Sequence, residues 1–461
     1  MNIFLARQQR IWRWHFWAGL MSLPLAIVLA LSGAIYLFKP QYQAWFERSL
    51  EPPFSAVVLQ KRQLKAKPPE QLLLALKSQY PEASFKRYTL AKHPRTDRSI
   101  EIEMLHQGQL WLFYMDRFNG QLLHAGPKGQ SLMSWIKKLH GELQLGNQGS
   151  YIVEFMAQWM IVLIISGLYL SLSRQLRAAK GRWGLALKRS LWPNLPGANG
   201  RLFWRRLHAM LGFWFGLLIL VFLLSGLPWT QVWGSGFKKV QSYMGWSQTG
   251  QSMRGAAKSA PAEHHHEDLW SLRSEQENQP ALASSGLWQG GNGFGLNTLV
   301  GLAQQQNLAA PVIIQPPKNA QGVWVLKSMS QDRSQRVVIH YDRLNGEQIK
   351  RVDFSDHHPV KRLVSHGISL HEGALFGWPN QVLGVLAALA VIMLACSAGI
   401  MWWRRRPQGK WGAPETVLVQ LSGGMIVAVL VLAALLPLFA ASLLLVLVLD
   451  PLILSFKRWQ A

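Results

Sequence analysis

Cysteine is almost absent: the 461 residues contain one, Cys396. A single thiol excludes a disulfide within the chain and any cysteine metal site. The C-x-x-C-H signature is missing as well, so a haem in this protein would be held without thioether bonds. Acidic residues are scarce, 23 against 48 Lys and Arg. They keep almost entirely to two stretches, Lys39–Glu154 and Thr230–Gly377, with only Glu415 and Asp450 outside. The remaining segments carry no glycine-rich nucleotide fingerprint, and they are too short for a flavin or nicotinamide domain.

Long apolar runs are present instead. About 20 apolar residues cross a bilayer, and four runs qualify: Ile11–Phe38, Ile152–Leu172, Leu207–Trp229 and Val382–Trp403. The apolar tail Thr416–Phe456 is too long for one helix, and Pro437 near its middle predicts a hairpin, Thr416–Leu436 and Phe439–Phe456. The first run exceeds a signal-peptide core and lacks an obvious small-residue cleavage site, so it is expected to stay in the membrane.

The net charge of +25 fits an orientation rule better than a nucleic-acid partner. Ser173–Arg206 holds nine Lys and Arg and no acid, the N-terminus has Arg7, Arg10 and Arg13, and the fourth run ends on Arg404, Arg405 and Arg406. Basic residues on alternate loops follow the positive-inside pattern. They predict a multi-pass membrane protein with both termini and the 173–206 loop in the cytoplasm, and two long loops outside.

The chain repeats itself. "RWHFWAGLMSLPLAIVLALSG" (Arg13–Gly33) is answered by "RLHAMLGFWFGLLILVFLLSG" (Arg206–Gly226), with Arg13/Arg206, His15/His208, Gly19/Gly212 and Gly33/Gly226 each 193 positions apart. A fixed period of this length marks an internal duplication. The outer loops repeat too. "DRFNGQLL" at Asp116–Leu123 answers "DRLNGEQI" at Asp342–Ile349, each between β-rich runs. Asn-Gly there predicts hairpins whose two central residues both take φ > 0. Helical patterns at Pro69–Gln79 and Leu296–Gln306 precede these hairpins, so each loop reads as a small α+β module. Gln248–Gly295 is a low-complexity insertion in the second. A last echo, "LHGELQLG" and "LHEGALFG", places His140 and His371 shortly before the second and fourth runs.

Four histidines therefore occupy corresponding places. His15 and His208 stand near the cytoplasmic ends of the first and third runs, His140 and His371 near the outer ends of the second and fourth. Pseudo-symmetry can set each pair face to face, the arrangement that holds a haem iron from both sides with neutral imidazoles. Two haems divide the roughly 30 Å hydrocarbon core into shorter electron steps. Arg13 and Arg206 are candidate partners for haem propionates. Glycines on the spans, among them Gly33, Gly167 and Gly399, allow a macrocycle or another helix to come close. The plainer reading makes these histidines interfacial polar residues. His366, five residues before His371, reads as structural or as a substitute ligand; the His264–His266 run reads as solvated loop or weak metal capture. The Trp residues read mainly as interfacial anchors.

The R-x-H-x-x-x-G…S-G spans, the L-H-x-G and L-H-E-G segments and the paired D-R-x-N-G turns, over about residues 7–406, resemble the PepSY-associated transmembrane family. Its most similar members are inner-membrane ferric-siderophore reductases of the ferrioxamine type. The resemblance implies an integral-membrane α-helical fold. A four-helix core arises from the duplication, a C-terminal helical hairpin follows it, and two PepSY-like α+β modules lie in the periplasm. The expected organisation is a first helix in 1–38, a module in 39–150, a second helix in 151–174 and a basic loop in 175–206. A third helix in 207–229, a module in 230–377, a fourth helix in 378–403, a basic loop in 404–415 and the hairpin in 416–461 follow. The resemblance also implies an oxidoreductase with two haem b, ligated by His15, His208, His140 and His371. Its substrate would be a periplasmic ferric siderophore, reduced to release Fe(II), and its donor a separate cytoplasmic carrier or a membrane quinol. No triad is expected, since reducing a chelate needs no acid–base residue. Three alternatives stand beside it: a haem-free anchored module that binds or regulates a periplasmic partner, a haem reductase for another acceptor, and a permease, which needs polar groups lining the spans.

Overall fold

The computed structural model describes residues 3–50, 65–92, 97–193, 200–246, 294–318, 322–409, 412–414 and 422–445. In chain order the first half runs α1 (Ile3–Tyr36), α2 (Lys39–Leu50), α3 (Pro69–Gln79), β1 (Ser84–Thr89), β2 (Ser99–His106), β3 (Gln109–Asp116), β4 (Leu122–Pro127), α4 (Leu132–Glu142) and α5 (Gly146–Ala178). After α6 (Trp183–Leu191) the second half runs α7 (Gly200–Gly226), α8 (Val232–Tyr243), α9 (Leu296–Gln305), β5 (Val312–Gln315), β6 (Trp324–Ser328), β7 (Val337–Tyr341), β8 (Gln348–Asp353), α10 (Pro359–His371), α11 (Trp378–Trp403) and α12 (Gly423–Leu435). The chain divides into a helical unit (Met1–Leu37, Ile136–Val240, Gly377–Ala461) and a sheet unit (Phe38–Trp135, Gln241–Phe376). The His264–His266 run, nearly all of the low-complexity insertion and Asp450 lie outside the described residues.

Among the described residues of the helical unit, four helices are long and apolar enough to cross a membrane. They are α1, α5, α7 with its one-turn extension to Trp229, and α11, with mean hydropathy between 1.9 and 2.5. Their outward positions are apolar (Met21, Leu31, Ile35, Leu217, Leu224, Leu389), while small residues such as Ser32, Gly216, Ala387, Ala390 and Ser397 are buried. That is the reverse of a soluble bundle, and it is how helices pack when the surrounding medium is itself apolar. α1 packs on α5 and α11, and α7 packs on the same two. The four therefore form a ring with α1 and α7 at opposite corners. This is a multi-pass membrane protein.

The helices outrun the apolar windows of the sequence; α5 begins at Gly146 and ends at Ala178. Of the expected hairpin, residues 416–421 and 446–456 lie outside the described residues. α12 has 13 residues, about 20 Å at 1.5 Å per residue, short of the bilayer's roughly 30 Å. The break falls at Leu436, where Pro437 predicts it, and residues 437–445 are helical again. Groups orphaned at the break find partners: Trp233 Nε1 donates to the Leu435 carbonyl (3.0 Å) and Phe439 N donates to Gln158 Oε1 (3.0 Å). Leu436 and Phe439 are buried with Ile161 and Leu227.

The sheet unit is one body rather than two modules. Its antiparallel sheet has eight strands in the order β4-β3-β2-β1-β5-β6-β7-β8. The halves join where β1 meets β5, Tyr88 opposite Ile314 and Thr89 opposite Ile313. Each four-stranded half alone would expose an edge, and the pairing covers both. α3 and α9 share a single core: Leu72, Leu73 and Leu76 from one, Leu296 and Leu299 from the other, over Ile102, Met104, Phe113, Ile314, Trp324, Leu326 and Ile339. The helix starts bond each other, Glu70 N to Asn297 Oδ1 (3.0 Å) and Asn297 N to Glu70 Oε1 (3.3 Å).

The D-R-x-N-G hairpins form, with a geometry other than the expected one. Only the glycines, Gly120 (φ 77°) and Gly346 (φ 69°), take positive φ; Asn119 and Asn345 do not. The aspartate dictates this. Asp116 Oδ1 accepts from Phe118 N (2.9 Å) and Asp342 Oδ1 from Leu344 N (2.7 Å), closing the loop as a wider turn. The register slip beside each turn is the bulge such a loop requires. The two-residue turn with both φ positive is instead Gln107-Gly108, between β2 and β3.

His357, just before α10, packs edge-on to Phe354. Burial first, and Lys361 second, hold its imidazole down to about 4, against the pull of Asp356. The unfolded imidazole takes a proton below about pH 6.5. The sheet unit should therefore lose stability as pH falls from about 6.5 towards 4, and be unaffected above that window. Solvent screening at this half-buried site limits the loss to roughly 1 kcal/mol. Thermal unfolding at several pH values should show this acid limb in the wild type and a flatter one in His357→Gln; identical limbs would remove His357 as the cause.

Candidate functional site

Each span carries a recurring pentad. Leu29-Ala30-Leu31-Ser32-Gly33 lies on α1, Leu163-Ile164-Ile165-Ser166-Gly167 on α5, Phe222-Leu223-Leu224-Ser225-Gly226 on α7, and Leu394-Ala395-Cys396-Ser397-Ala398 on α11. In the helical unit, three of these pentads each receive a histidine. His15 Nδ1 lies 2.9 Å from Ser166 Oγ. His208 Nδ1 lies 2.9 Å from Ser397 Oγ and 3.1 Å from the Leu394 carbonyl. His140 Nδ1 lies 2.9 Å from the Leu29 carbonyl and 3.3 Å from Ser32 Oγ.

A helix carbonyl cannot donate, so a ring nitrogen beside one carries the proton. This makes His208 and His140 Nδ1–H tautomers. The serines say the same. Ser166 Oγ donates to Leu163 O (3.2 Å) and Ser397 Oγ to Leu394 O (2.9 Å), which leaves the hydroxyl lone pairs facing the histidines. Nε2 is then the unprotonated, metal-competent nitrogen. At His15 and His208 it has no hydrogen bond among the described residues.

The glycine of the pentad makes room for the ring. A Cβ on Gly167 would sit 3.0 Å from His15 Cε1, and one on Gly33 would sit 2.8 Å from His140 Cε1. The expectation that glycines admit a macrocycle or a helix thus needs correcting at these two positions, where they admit an imidazole. Gly19 and Gly212 do serve helix packing, facing Leu163 and Leu394 at 3.8 and 3.9 Å.

His15 lies on α1 and His208 on α7. They project from opposite-corner helices, both half-buried, and within electrostatic range of each other. His140 belongs to a different level. It rides on α4, a short helix ahead of α5, and docks 14 to 18 residues further along α1 than His15. At 1.5 Å per residue that is about 21–27 Å. His371 is the last residue of α10 in the sheet unit. His366, on the same helix, packs edge-on to Phe354 at 5.3 Å. Five residues of helix turn it about 140° from His371, so the two cannot share one ligand position. Arg13 donates to the Pro414 carbonyl, which occupies part of its guanidinium.

Composition and spacing did not single out Ser32, Ser166 and Ser397; the four-fold L/F-x-x-S-G/A pattern was the available signal. Glu154 and Gln158 were also missed. Both are fully buried on α5. Glu154 accepts from Val232 N and Trp233 N, each at 2.8 Å, and from Gln158 Nε2 at 3.0 Å. These polar groups are consumed in holding α8 and the tail.

Duplicated membrane helices with buried, serine-anchored histidines, joined to an antiparallel sheet unit, define a class of membrane proteins. The sequence model of one such family, the PepSY-associated TM region, matches residues 12–405, and the chain belongs to that family. No curated protein matches the sequence.

Proposed function

We propose that this protein is a membrane haem reductase that passes electrons outward to a periplasmic ferric siderophore. The observation that supports it most is the His15/His208 pair. Two imidazoles on opposite-corner helices of a four-helix ring lie within electrostatic range of each other, each with Nδ1 hydrogen-bonded and Nε2 without a hydrogen bond among the described residues. This donor set fits the iron of a b-type haem, being uncharged, rigid and bis-imidazole. His140, with the same anchoring at a second depth, and His371, its counterpart in the repeat, are the proposed ligands of a second haem. When bound, haem supplies one-electron carriage through a layer that excludes charge. The chain's own groups orient the imidazoles, keep water out of the bundle and, through Arg13 and Arg206, offer cations to propionates. Held between two imidazoles, a haem would supply electron transfer rather than oxygen chemistry. The siderophore and the electron donor follow from family likeness.

The test is a reduced-minus-oxidised visible spectrum of the full-length protein, with haem counted per chain. Low-spin b-type bands at about two haems per chain are expected. A folded, colourless protein after haem supplementation would sink the reading and promote the haem-free, partner-binding alternative.

A further inference from the structure

The three anchored histidines are not anchored alike. His208 shares its Nδ1 proton between a carbonyl and a hydroxyl, and His140 does the same at its own depth. Among the described residues, His15 has the hydroxyl of Ser166 alone. A backbone carbonyl survives any side-chain substitution, so His208 and His140 keep an acceptor whatever happens to their serines. His15 does not. The hydroxyl it uses is itself directed, because its proton goes to Leu163 O within the same helix.

We infer that Ser166 is a positioning residue that fixes the tautomer and ring plane of His15 and thereby sets the reduction potential of the haem iron held between His15 and His208; Ser397 plays the same part for His208 with a smaller share. The inference rests on the haem reading above. The physical chain is short. An Nδ1–H donated to an acceptor gives the imidazole partial imidazolate character, which makes Nε2 a stronger donor and favours Fe(III) over Fe(II). Without the acceptor the ring is a weaker donor, free to rotate about its Cβ–Cγ bond, and the potential rises. Loss of outer partners of ligating histidines changes metal affinity or activity by about 10–100-fold. A tenfold change in a one-electron equilibrium corresponds to about 59 mV.

The experiment is a redox titration of the full-length haem-loaded protein with an EPR spectrum of the oxidised state, for the wild type, Ser166→Ala, Ser397→Ala and Ser166→Thr. Ser166→Ala should raise the potential of one haem by about 59 mV and shift the low-spin signal of that haem alone. Ser397→Ala should move the same haem by less. Ser166→Thr keeps the hydroxyl and should restore both readouts. If Ser166→Ala binds haem with wild-type potential and signal, the inference is overturned and the haem reading stands. If Ser397→Ala shifts the potential more than Ser166→Ala, the proposed inequality is overturned. A wild type that binds no haem would overturn the parent reading itself. Comparing the alanine and threonine variants separates an electronic role from a packing one, since threonine alters the packing while keeping the acceptor.

Discussion

Under the proposed di-haem reading, His208→Ala should carry about one haem per chain against about two expected for the wild type, and the surviving bands should belong to the other site. His15→Ala should behave identically, because an iron that loses either axial imidazole loses the low-spin state that defines the site. Electron delivery from the cytoplasmic face should fall by more than about 100-fold, since even the loss of an outer hydrogen-bond partner costs 10–100-fold. The electron would then have to cover most of a roughly 30 Å core in one step. Pigment extraction and single-turnover kinetics with a dithionite-reduced sample check both parts. The strongest contrary result would be a His15→Ala protein with two haems and normal bands, which would take His15 out of the ligand set. His366→Ala serves as the control: it should keep both haems, because its ring is occupied against Phe354.

The second large effect concerns stability. Glu154 is a carboxylate with no exposed surface on a membrane helix, and it is tolerated because it accepts three hydrogen bonds. Two come from the first amides of α8, where no backbone acceptor exists. Its partner Gln158 passes the connection to Phe439 N, at the break in the tail. Glu154→Ala leaves the α8 amides without acceptors and lets Gln158 turn away. Each buried donor left without an acceptor costs about 1–3 kcal/mol, so a loss of about 2–6 kcal/mol is expected for the two amides. Thermal unfolding followed by tryptophan fluorescence reads the loss, since Trp159 and Trp233 pack beside Leu436 and Phe439. The midpoint should drop by more than about 5 °C, and protease should cut near Leu436 in the variant before it does in the wild type. Glu154→Gln, which retains one acceptor oxygen, should fall between. Wild-type midpoints in both variants would show that the network contributes nothing measurable.

Both effects fall on residues that the sequence revealed unequally. Apolar length gave the four spans, and a 193-residue repeat tied His15 to His208. Those signals are local or periodic. α3 was legible to its ends, Pro69 at the first turn and Gln79 at the last, because proline starts a helix well and the apolar spacing of Leu72, Leu73 and Leu76 is helical. The joining of the modules was not legible. β1 and β5 carry no mark saying that they pair with each other rather than with a partner chain, since an open edge looks the same in either case. Nor did periodicity expose Glu154, whose acceptor role depends on a helix more than seventy residues away. The D-R-x-N-G turns were found, but the aspartate outranked the Asn-Gly pair in choosing their shape. Ser166 was visible as a repeat of Ser-Gly and Ser397 as a Ser-Ala variant of it, yet neither had an assigned partner until the histidines were seen docking on them.

The seam between β1 and β5 bears on how the protein is made. Tyr88 and Ile314 are neighbours in space, but the ribosome makes them 226 residues apart, with α5 and α7 between them in the chain. The first half of the sheet is thus complete in sequence long before its partner strand emerges. Until both intervening helices have entered the bilayer and the second half of the sheet has been made, β1 presents a bare edge to whatever is nearby. Biogenesis therefore includes a waiting interval in which a holding factor or simple dilution must protect that edge. A block in insertion of α7 would leave a stranded half-sheet prone to pairing with another copy.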